Sequence, residues 1–315
     1  MNATASAPQA RRVCRSTPIT RSITAVQRGP LDTMMAEVST LRNYVESYET
    51  WGVQNSFSGI DRNKYQTVLD SFIKLEEMCF QAPATVLNPA EELPVAPGEK
   101  RTEPTKEWQD LMRNLDIHSL IMRAVQIPFS SFKVALPAAG AFSAIPQDMI
   151  DKDASYKVLF SVVQSGWRMA KSFIKRNKAN QAIFYELNDF MISQMKEAPE
   201  LGIAAIIIEV FRDNLTVVEA AEESLFLTFA ELLSKSNYSL EYLSFFEVMV
   251  NVKNFGIVQA SQRKIIRALS APHCAHLVLP LTPPAGGGPS ESYLRLMKLL
   301  EACCRNRNPG ATAQM

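Results

Sequence analysis

The sequence predicts an all-α protein, because apolar residues recur at helical spacing along most of it and no segment alternates like a half-buried strand. The clearest helical segments are 156–174, 180–195, 217–233 and 240–250. Short connections join them, and pairs of helices recur after roughly thirty to forty residues, as in armadillo and HEAT repeats. We therefore expect an armadillo-like α-solenoid of stacked helical hairpins with long proline-rich loops. A plain helical bundle fits the same periodicity.

Proline-rich stretches interrupt this pattern at residues 81–105, 127–153 and 279–289. Proline lacks the backbone N–H group and is disfavoured inside helices, so we expect surface loops or linkers there. Loops of this length are unusual within a compact domain and indicate insertions. The predicted order is a disordered basic arm at 1–31, leading helices at 32–80, a proline-rich loop at 81–105, a helical domain at 106–270, a linker at 271–289, a further helix at 290–306 and a disordered tail at 307–315.

The basic arm contains five arginines and no acidic residue. This composition fits either a disordered arm or an organellar transit peptide. A secretory signal is not expected, because no short apolar core with a small-residue cleavage site follows. The five cysteines are scattered and odd in number, which favours a reducing compartment.

Three helix starts are predicted at residues whose side-chain oxygens can accept hydrogen bonds from free amides: Asp153, Asn214 and Ser239. Within the helix predicted at 217–233, an apolar stripe faces the core and an acidic stripe faces solvent. The acidic stripe consists of Glu219, Glu222 and Glu223.

Motifs of a catalytic or cofactor site are missing from the sequence. It has no phosphate-binding loop ending in Gly-Lys-Ser/Thr, no dinucleotide-binding glycine pattern and no His-Glu-x-x-His. His273, Cys274 and His276 lie close together, but no second ligand pair follows at zinc-finger spacing. We therefore predict a protein that is not an enzyme and that needs no metal or other cofactor.

Charge and hydropathy restrict the partners. The net charge of +1 creates no overall field that favours nucleic acid. The longest apolar run, 201–208, stops at Glu209 and is much shorter than the roughly twenty residues of a membrane span. We expect neither nucleic-acid binding nor a direct membrane span.

A cluster of basic residues is the one candidate for a binding face. Arg168, Lys171 and Lys175 share one face of a helix at spacings of three and four residues, and Arg176 and Lys178 extend its positive end. Cations at a helix C-terminus stabilise the helix dipole, which is a sufficient structural reason for them. The alternative is a site for phosphate, lipid or an acidic partner.

Two short blocks carry a resemblance to a known family. The first contains Leu111, Arg113 and Asn114, then His118, then Gln126 and Pro128; the second contains Asn177, Asn180 and Gln181 before an apolar helix. They resemble the RIH domain of inositol trisphosphate and ryanodine receptors, most closely the former. A looser similarity spans about residues 61–305. These signature residues look structural, and the Asn180 side chain is expected to cap the helix that follows it.

The resemblance implies a cytoplasmic regulatory segment of an intracellular calcium-release channel, which transmits ligand binding to the gate. Implied partners are other domains or subunits of that channel, a tetramer in the family, together with protein regulators. The implied location is the cytoplasmic face of the endoplasmic reticulum; a cytosolic or organellar location is the alternative if the basic arm is a transit peptide.

Some features of the family are not visible in this sequence. It contains neither a ligand-binding β-trefoil nor a pore, and nothing in it supports binding of inositol trisphosphate. We therefore expect a fragment of a channel, or a divergent protein that kept the regulatory solenoid. The alternative function is a stand-alone α-solenoid scaffold for protein–protein interactions, unrelated to calcium flux.

Overall fold

The computed structural model describes residues 28–51, 61–80, 103–135, 154–236, 239–274, 277 and 291–305. Within these ranges the protein is all-α apart from one hairpin, whose two strands contain two residues each. The thirteen α-helices are α1 Arg28–Trp51, α2 Asp61–Cys79, α3 Lys106–Asn114, α4 Ile117–Ala135, α5 Ala154–Ile174, α6 Lys178–Tyr185, α7 Asn188–Glu197, α8 Ile203–Phe211, α9 Leu215–Ala220, α10 Glu223–Lys235, α11 Leu240–Val250, α12 Gln259–Leu269 and α13 Glu291–Cys304. A 3₁₀ turn, Pro199–Leu201, precedes α8, and the antiparallel strands β1 Asn251–Val252 and β2 Gly256–Ile257 follow α11.

The helices form a solenoid of repeated units, which confirms the predicted fold class. Unit 1 consists of α3–α5, unit 2 of α6–α8, unit 3 of α9–α11, and unit 4 of α12 and α13. The short opening helices contact one another in the order α3, α6, α9, α12, and the closing helices in the order α5, α8, α11, α13. Units 1 to 3 therefore each contain a short helix before a pair of further helices. The leading helices α1 and α2 pack onto α4 and α5 at the start of the array.

A continuous apolar core runs through the units. At its beginning α5 approaches α2 and α4 so closely that a Cβ atom on Gly166 would lie 2.5 Å from Cγ1 of Val125 and 3.3 Å from the ring of Phe72. Further along, Phe245 of α11 stacks on Phe229 of α10 with ring centroids 3.9 Å apart, and Phe211 of α8 contacts Phe245 edge-on at 6.1 Å. Aromatic packing of this kind joins units 2 and 3.

Two helices predicted as continuous are each divided, and in these details the predictions were wrong. The predicted helix 180–195 is broken between α6 and α7 at Glu186 and Leu187. The dihedral angles of Glu186 (φ −64°, ψ −19°) remain helical, so the apolar residues keep their helical spacing across the break. The break therefore cannot be detected from the periodicity of the sequence.

The predicted helix 217–233 is divided between α9 and α10. Ala221 (φ −59°, ψ 129°) and Glu222 (φ −75°, ψ 155°) leave the helical region. The side chains of Tyr185 and Lys264 donate to the carbonyls of Ala220 and Ala221, respectively, and so replace hydrogen bonds that a longer helix would have made. Glu219, Glu222 and Glu223 are exposed, as expected, but they straddle this break.

Helix α4 continues through Pro128 to Ala135, so residues 127–135 are helical where a loop was predicted. A single proline removes one backbone hydrogen bond and kinks a helix at a cost of about 3 kcal/mol, which a well-packed helix can tolerate. The loop prediction rested on the proline content of 127–153 as a whole, and residues 136–153 lie outside the described part of the chain. Helix α1 likewise begins at Arg28, inside the predicted arm.

Candidate functional site: polar junctions between helical units

Three buried glutamines occupy the same position in three of the short opening helices. Gln109, Gln181 and Gln262 are each the fourth residue of α3, α6 and α12, and their exposed fractions are 2%, 0% and 0%. In each case the carboxamide NH₂ group donates to two carbonyls, three residues apart, at the C-terminal end of the closing helix of the same unit. The last carbonyls of a helix have no partner within it, so these side chains fill a need that recurs in every unit.

Junction 1 is formed by Gln109, the end of α5 and the start of α6. Nε2 of Gln109 donates to the carbonyls of Ser172 (2.8 Å) and Lys175 (2.9 Å). Its Oε1 accepts from Nδ2 of Asn177 at 3.2 Å. Asn177 is the N-cap residue of α6, and its Oδ1 accepts from the backbone N–H group of Asn180. The junction thus ties the two ends of unit 1 to the first residue of unit 2.

Asn180 and Arg113 add a second layer to junction 1. Nδ2 of Asn180 donates to the carbonyl of Phe173 at 2.8 Å, and its Oδ1 accepts from Nη1 of Arg113 at 2.7 Å. The same guanidinium donates to Asp110 at 2.7 Å, and Asn177 donates to that carboxylate at 3.0 Å. The prediction that the Asn180 side chain caps a helix was therefore wrong: Asn177 is the cap, and Asn180 links α6 to α3 and α5.

Junction 2 repeats the core of this design one unit later. Nε2 of Gln181 donates to the carbonyls of Glu209 (2.8 Å) and Arg212 (3.0 Å). Its Oε1 accepts from Nδ2 of Asn214 at 3.1 Å, and the same amide donates to the carbonyl of Lys178 at 3.3 Å. Asn214 begins α9, as predicted, but its side chain serves the junction and does not cap the helix.

The turns in the two junctions correspond residue by residue. In the first, Lys175 N–H donates to the Lys171 carbonyl; in the second, Arg212 N–H donates to the Ile208 carbonyl. The next residues, Arg176 and Asp213, both have φ of 57°. This left-handed conformation is uncommon for residues other than glycine, and here it redirects the chain so that the following asparagine reaches the glutamine.

Unit 3 departs from the design. The fourth residue of α9 is Val218, which is 1% exposed and apolar. At the end of α11 the chain forms the β1–β2 hairpin, where the Val258 N–H group donates to the Val250 carbonyl at 2.9 Å. The unit without a glutamine is thus also the unit whose closing helix ends in a hairpin.

The hairpin nevertheless rests on junction 2. The backbone N–H group of Lys253 donates to Oδ1 of Asp213 at 3.1 Å, and Nζ of Lys178 lies 5.9 Å from the centroid of the Phe255 ring. Phe255 is 59% exposed, the largest exposed fraction among the large hydrophobic side chains of the described residues. An exposed aromatic ring beside Lys178 is therefore present where the hairpin meets junction 2.

The remaining signature residues have structural surroundings. Leu111 packs against the core, Asn114 is exposed at the end of α3, and Gln126 is half-buried in α4. Pro128 lies in α4, and its side chain is outside the described part of the structure. His118 stacks on Phe173 with ring centroids 5.9 Å apart. The first block therefore contributes to unit 1 and to junction 1, and the second block contributes to junctions 1 and 2.

His118 is the signature residue with a shifted pKa. Burial lowers its pKa below 6.5, the nearby Arg113 lowers it further, and Asp116, whose carboxylate lies 3.3 Å from Nε2, opposes the shift. The imidazole is therefore neutral at physiological pH. Packed flat against Phe173, it acts as part of the core of unit 1.

The basic face is only partly available. Nε of Arg168 pairs with Glu76 of α2 at 2.5 Å, and Lys175 and Arg176 lie 3.1 Å and 3.6 Å from Glu103. Lys171 has no carboxylate partner among the described residues, and Lys178 lies over Phe255. Intramolecular ion pairs thus account for three of the five predicted cations, and the ring of Phe255 lies beneath a fourth.

Sequence reasoning did not identify Gln109 and Gln262 as functional positions, and it gave Gln181 only a general structural role as part of the family signature. A signal was present: a basic residue, any residue and asparagine recur at 175–177 and 212–214, thirty-seven residues apart. Each of these triplets follows an apolar helix and is matched by a glutamine that is the fourth residue of a helix. Chemically the junctions can fix the orientation of one unit relative to the next. The members of their shared core are amides and main-chain groups, which do not titrate near neutral pH, and Arg113 and Asp110 add an ion pair to junction 1.

No helix in the described residues is long and apolar enough to cross a membrane. The fold and its junctions define the chain as an α-solenoid of armadillo-like units joined by buried amide side chains. The family model of the RIH domain, shared by ryanodine and inositol trisphosphate receptors, matches residues 85–274, more than half of the chain. The chain belongs to this family, as the two sequence blocks predicted. No individual curated protein matches the chain significantly.

Proposed function

We propose that the chain is a cytoplasmic regulatory segment of an intracellular calcium-release channel, and that its helical array transmits ligand binding to the gate. Membership in the RIH family supports the channel context. The proposal places the chain on the cytoplasmic face of the endoplasmic reticulum, beside other domains or subunits of the channel. It assigns no catalytic role and no pore to this chain.

The repeated junction is the observation that carries this proposal. Transmission through a solenoid requires that a displacement of one unit moves the next, and apolar contacts alone permit units to slide. Junctions 1 and 2 instead join successive units by directional hydrogen bonds from buried amides, with donor–acceptor distances of 2.8–3.2 Å for their shared core. An array of this kind behaves as a semi-rigid lever whose curvature can differ slightly between channel states.

The test uses the full-length protein in cells of its source organism. The endogenous copy is replaced by wild type, Gln181→Leu or the control Val218→Ile, which keeps unit 3 apolar. Calcium release from permeabilised cells is then measured against the concentration of inositol trisphosphate, and caffeine serves as the agonist for ryanodine-type channels. We expect Gln181→Leu to change the half-maximal agonist concentration several-fold or to abolish release, and Val218→Ile to leave it unchanged.

A second measurement separates this function from that of a stand-alone scaffold. The tagged protein is purified from endoplasmic-reticulum microsomes in mild detergent, and its companions are identified. Channel polypeptides among them, or pore segments in the same polypeptide, support the proposal. Normal calcium release after depletion of the protein, together with a purified complex that lacks channel segments, would establish the scaffold function instead.

We also propose that the edge of the array around Lys178, Lys253 and Phe255 contacts an acidic segment of a neighbouring channel domain. Lys178 and Lys253 are exposed, and Lys171, which has no carboxylate partner among the described residues, adds a further cation on α5. The charge-reversed pair Lys178→Glu and Lys253→Glu should lose cross-linking to that domain, whereas Arg263→Glu on exposed α12 surface should not. Unchanged cross-linking of the charge-reversed pair would refute this contact.

A further inference from the structure

The boundary between units 3 and 4 is built differently from the two boundaries before it. Junctions 1 and 2 join successive units through buried amides, whereas unit 3 has the apolar Val218 at the corresponding position and ends α11 in the hairpin. The third glutamine does not supply the missing junction, because Nε2 of Gln262 donates to the carbonyls of Ala302 (2.8 Å) and Arg305 (3.2 Å) at the end of its own unit. Unit 4 is therefore tied together internally, and other contacts must attach it to unit 3.

Two arginines of unit 4 form ion pairs with unit 3. In Arg295 of α13, Nε donates to Oε1 of Glu247 in α11 at 2.8 Å, and Nη2 donates to the other oxygen of the same carboxylate. The same Nη2 also donates to Oγ of Ser244 at 2.9 Å. Arg267 of α12 lies 3.5 Å from a carboxylate oxygen of Glu223 in α10. Directional contacts thus cross the boundary at two pairs of helices.

A lysine adds a third cationic contact. Nζ of Lys264 in α12 donates to the carbonyl of Ala221, at the break between α9 and α10, and lies 5.6 Å from the centroid of the Phe226 ring. A neutral hydrogen bond from Ser234 to the carbonyl of His273, at 3.1 Å, lies beside it. Most of the side-chain polar contacts that join units 3 and 4 in the described residues therefore involve a cation of unit 4.

These contacts are open to solvent, unlike those of junctions 1 and 2. The side chains of Arg267 and Glu223 are 60% and 45% exposed, and those of Arg295 and Glu247 are 26% and 36% exposed. Dissolved salt screens exposed charges, because the Debye length falls from about 30 Å at 0.01 M to about 3 Å at 1 M. Hydrogen bonds between buried, uncharged amides do not depend on salt in this way. The boundary between units 3 and 4 is therefore the salt-sensitive one.

We propose that this boundary is an electrostatic hinge: the ion pairs of Arg267 and Arg295 hold it at one angle, and it loosens when their charges are screened or neutralised. The apolar contacts that remain are non-directional, so they keep the two units together without fixing the angle. Units 1 to 3 move as one body about this hinge, and unit 4 moves as another. The inference concerns the chain itself and does not depend on the channel function proposed above.

The test measures distances between spin labels in the full-length chain by double electron–electron resonance. The labels are attached to a genetically encoded keto amino acid, so that the native cysteines stay unchanged, and they replace the exposed residues Glu107 in α3, Thr216 in α9 and Lys298 in α13. Between about 0.01 M and about 1 M NaCl, the distribution of distances between positions 216 and 298 should become about 2-fold wider. The distribution between positions 107 and 216, which spans junctions 1 and 2, should keep its width.

A charge-neutral variant assigns the effect to the two ion pairs. Glu223→Gln together with Glu247→Gln removes both carboxylates and keeps the size of the side chains. The distribution between positions 216 and 298 should then be wide already at low salt and should change little with added salt. The matched control combines Glu219→Gln and Glu241→Gln, two carboxylates of unit 3 that pair with no cation in the described ranges, and should behave like wild type. Far-UV circular dichroism verifies that each variant keeps its helix content.

Several outcomes would overturn the hinge. The two distance distributions could respond alike to salt, or neither could respond. The charge-neutral variant could be as narrow as wild type at low salt. A control variant as wide as the charge-neutral variant would also overturn the proposal, because any loss of negative charge from unit 3 would then suffice.

Discussion

Units 2 and 3 of the array solve the same problem in different ways. Both have a short opening helix whose fourth residue is buried, and both must satisfy the carbonyls at the end of a closing helix. Unit 2 places Gln181 there and ends α8 in a left-handed turn, whereas unit 3 places Val218 there and ends α11 in a hairpin. The residue type at this buried position is therefore coupled to the path of the backbone after the closing helix. Glutamine occurs with the left-handed turn, and valine occurs with the hairpin.

This coupling explains why the glutamines are tolerated in an otherwise apolar core. A buried carboxamide is costly unless each of its groups is paired, and junctions 1 and 2 pair both the NH₂ group and the oxygen. The resulting bonds are directional, so they specify one arrangement of neighbouring units. In unit 3 the Val250 carbonyl accepts from the hairpin instead, and the corresponding buried position is the apolar Val218.

The largest effect is expected for Gln181→Leu, which makes unit 2 resemble unit 3 at this position only. The carbonyls of Glu209 and Arg212 lose their side-chain donor, and each such buried group costs about 1–3 kcal/mol, so we expect a loss of about 3 kcal/mol in the free energy of unfolding. Urea denaturation followed by circular dichroism measures it. A loss below about 1 kcal/mol would show that water or relaxation satisfies these carbonyls and that the junction contributes little.

The reverse exchange, Val218→Gln, tests whether the glutamine alone can create a junction. The hairpin after α11 offers no turn of the kind seen after α8, so the carboxamide would be buried without partners at a cost of about 1–3 kcal/mol. Val218→Met is the control of similar size: it carries the overpacking cost of about 1–3 kcal/mol without the buried amide, so Val218→Gln should be the less stable of the two. A Val218→Gln variant as stable as wild type would contradict the coupling between glutamine and turn.

The sequence was informative wherever a pattern depends on burial alone. The helix predicted at 240–250 has the same bounds as α11. The junctions were not predictable in this way, because Gln109 meets the end of α5 more than sixty residues later in the chain. Periodicity describes one helix at a time, and the pairing of Gln109 with Ser172 and Lys175 exists only in the tertiary structure.

The same limit explains the mistaken cap. Asn177 and Asn180 are both plausible caps by residue type, and only the positions of Arg113 and Phe173 decide between them. The contacts of the signature residues are consistent with the structural role that was expected for them. Why each position holds its particular residue type becomes clear only from the residues of the neighbouring helix.

Junction 1 differs from junction 2 by its additional layer, and Arg113→Met tests what that layer contributes. The substitution removes the hydrogen bonds to Asn180 and Asp110 while keeping the length of the side chain. Because Arg113 is 26% exposed, solvent reduces its contribution, and we expect a loss of about 1.5 kcal/mol in the free energy of unfolding. The exposed neighbour Asn114→Ala is the control, expected within about 0.5 kcal/mol of wild type. Equal stability of the two variants would make the additional layer dispensable.

A comparable effect is expected at the point where junction 2 meets the hairpin of unit 3. Asp213→Ala loses the bond to the Lys253 amide and places alanine at a φ of 57°, which together should cost about 1–2 kcal/mol. Asp213→Asn keeps an oxygen acceptor and a residue that tolerates this conformation, and should cost less than about 0.5 kcal/mol. Thermal denaturation compares the two; similar midpoints would mean that the hairpin does not rely on Asp213.

The smallest effect concerns His118, which belongs to unit 1 and has no counterpart in the junctions. Burial, aided by Arg113 and opposed by Asp116, holds its pKa in the folded protein below 6.5, the value expected for the unfolded chain. The unfolded state therefore binds more protons between these two pKa values, so stability rises with pH in that interval. The contribution is fully present above pH 6.5 and is lost as the pH falls through the lowered folded pKa.

The free energy of unfolding, measured by urea titration at pH values on either side of 6.5, should show this slope in wild type and a weaker slope in His118→Gln, which cannot be protonated. Equal slopes would mean that other groups set the acid sensitivity of unit 1, whereas a difference would identify its core, not the amide junctions, as the part of the array that responds to pH.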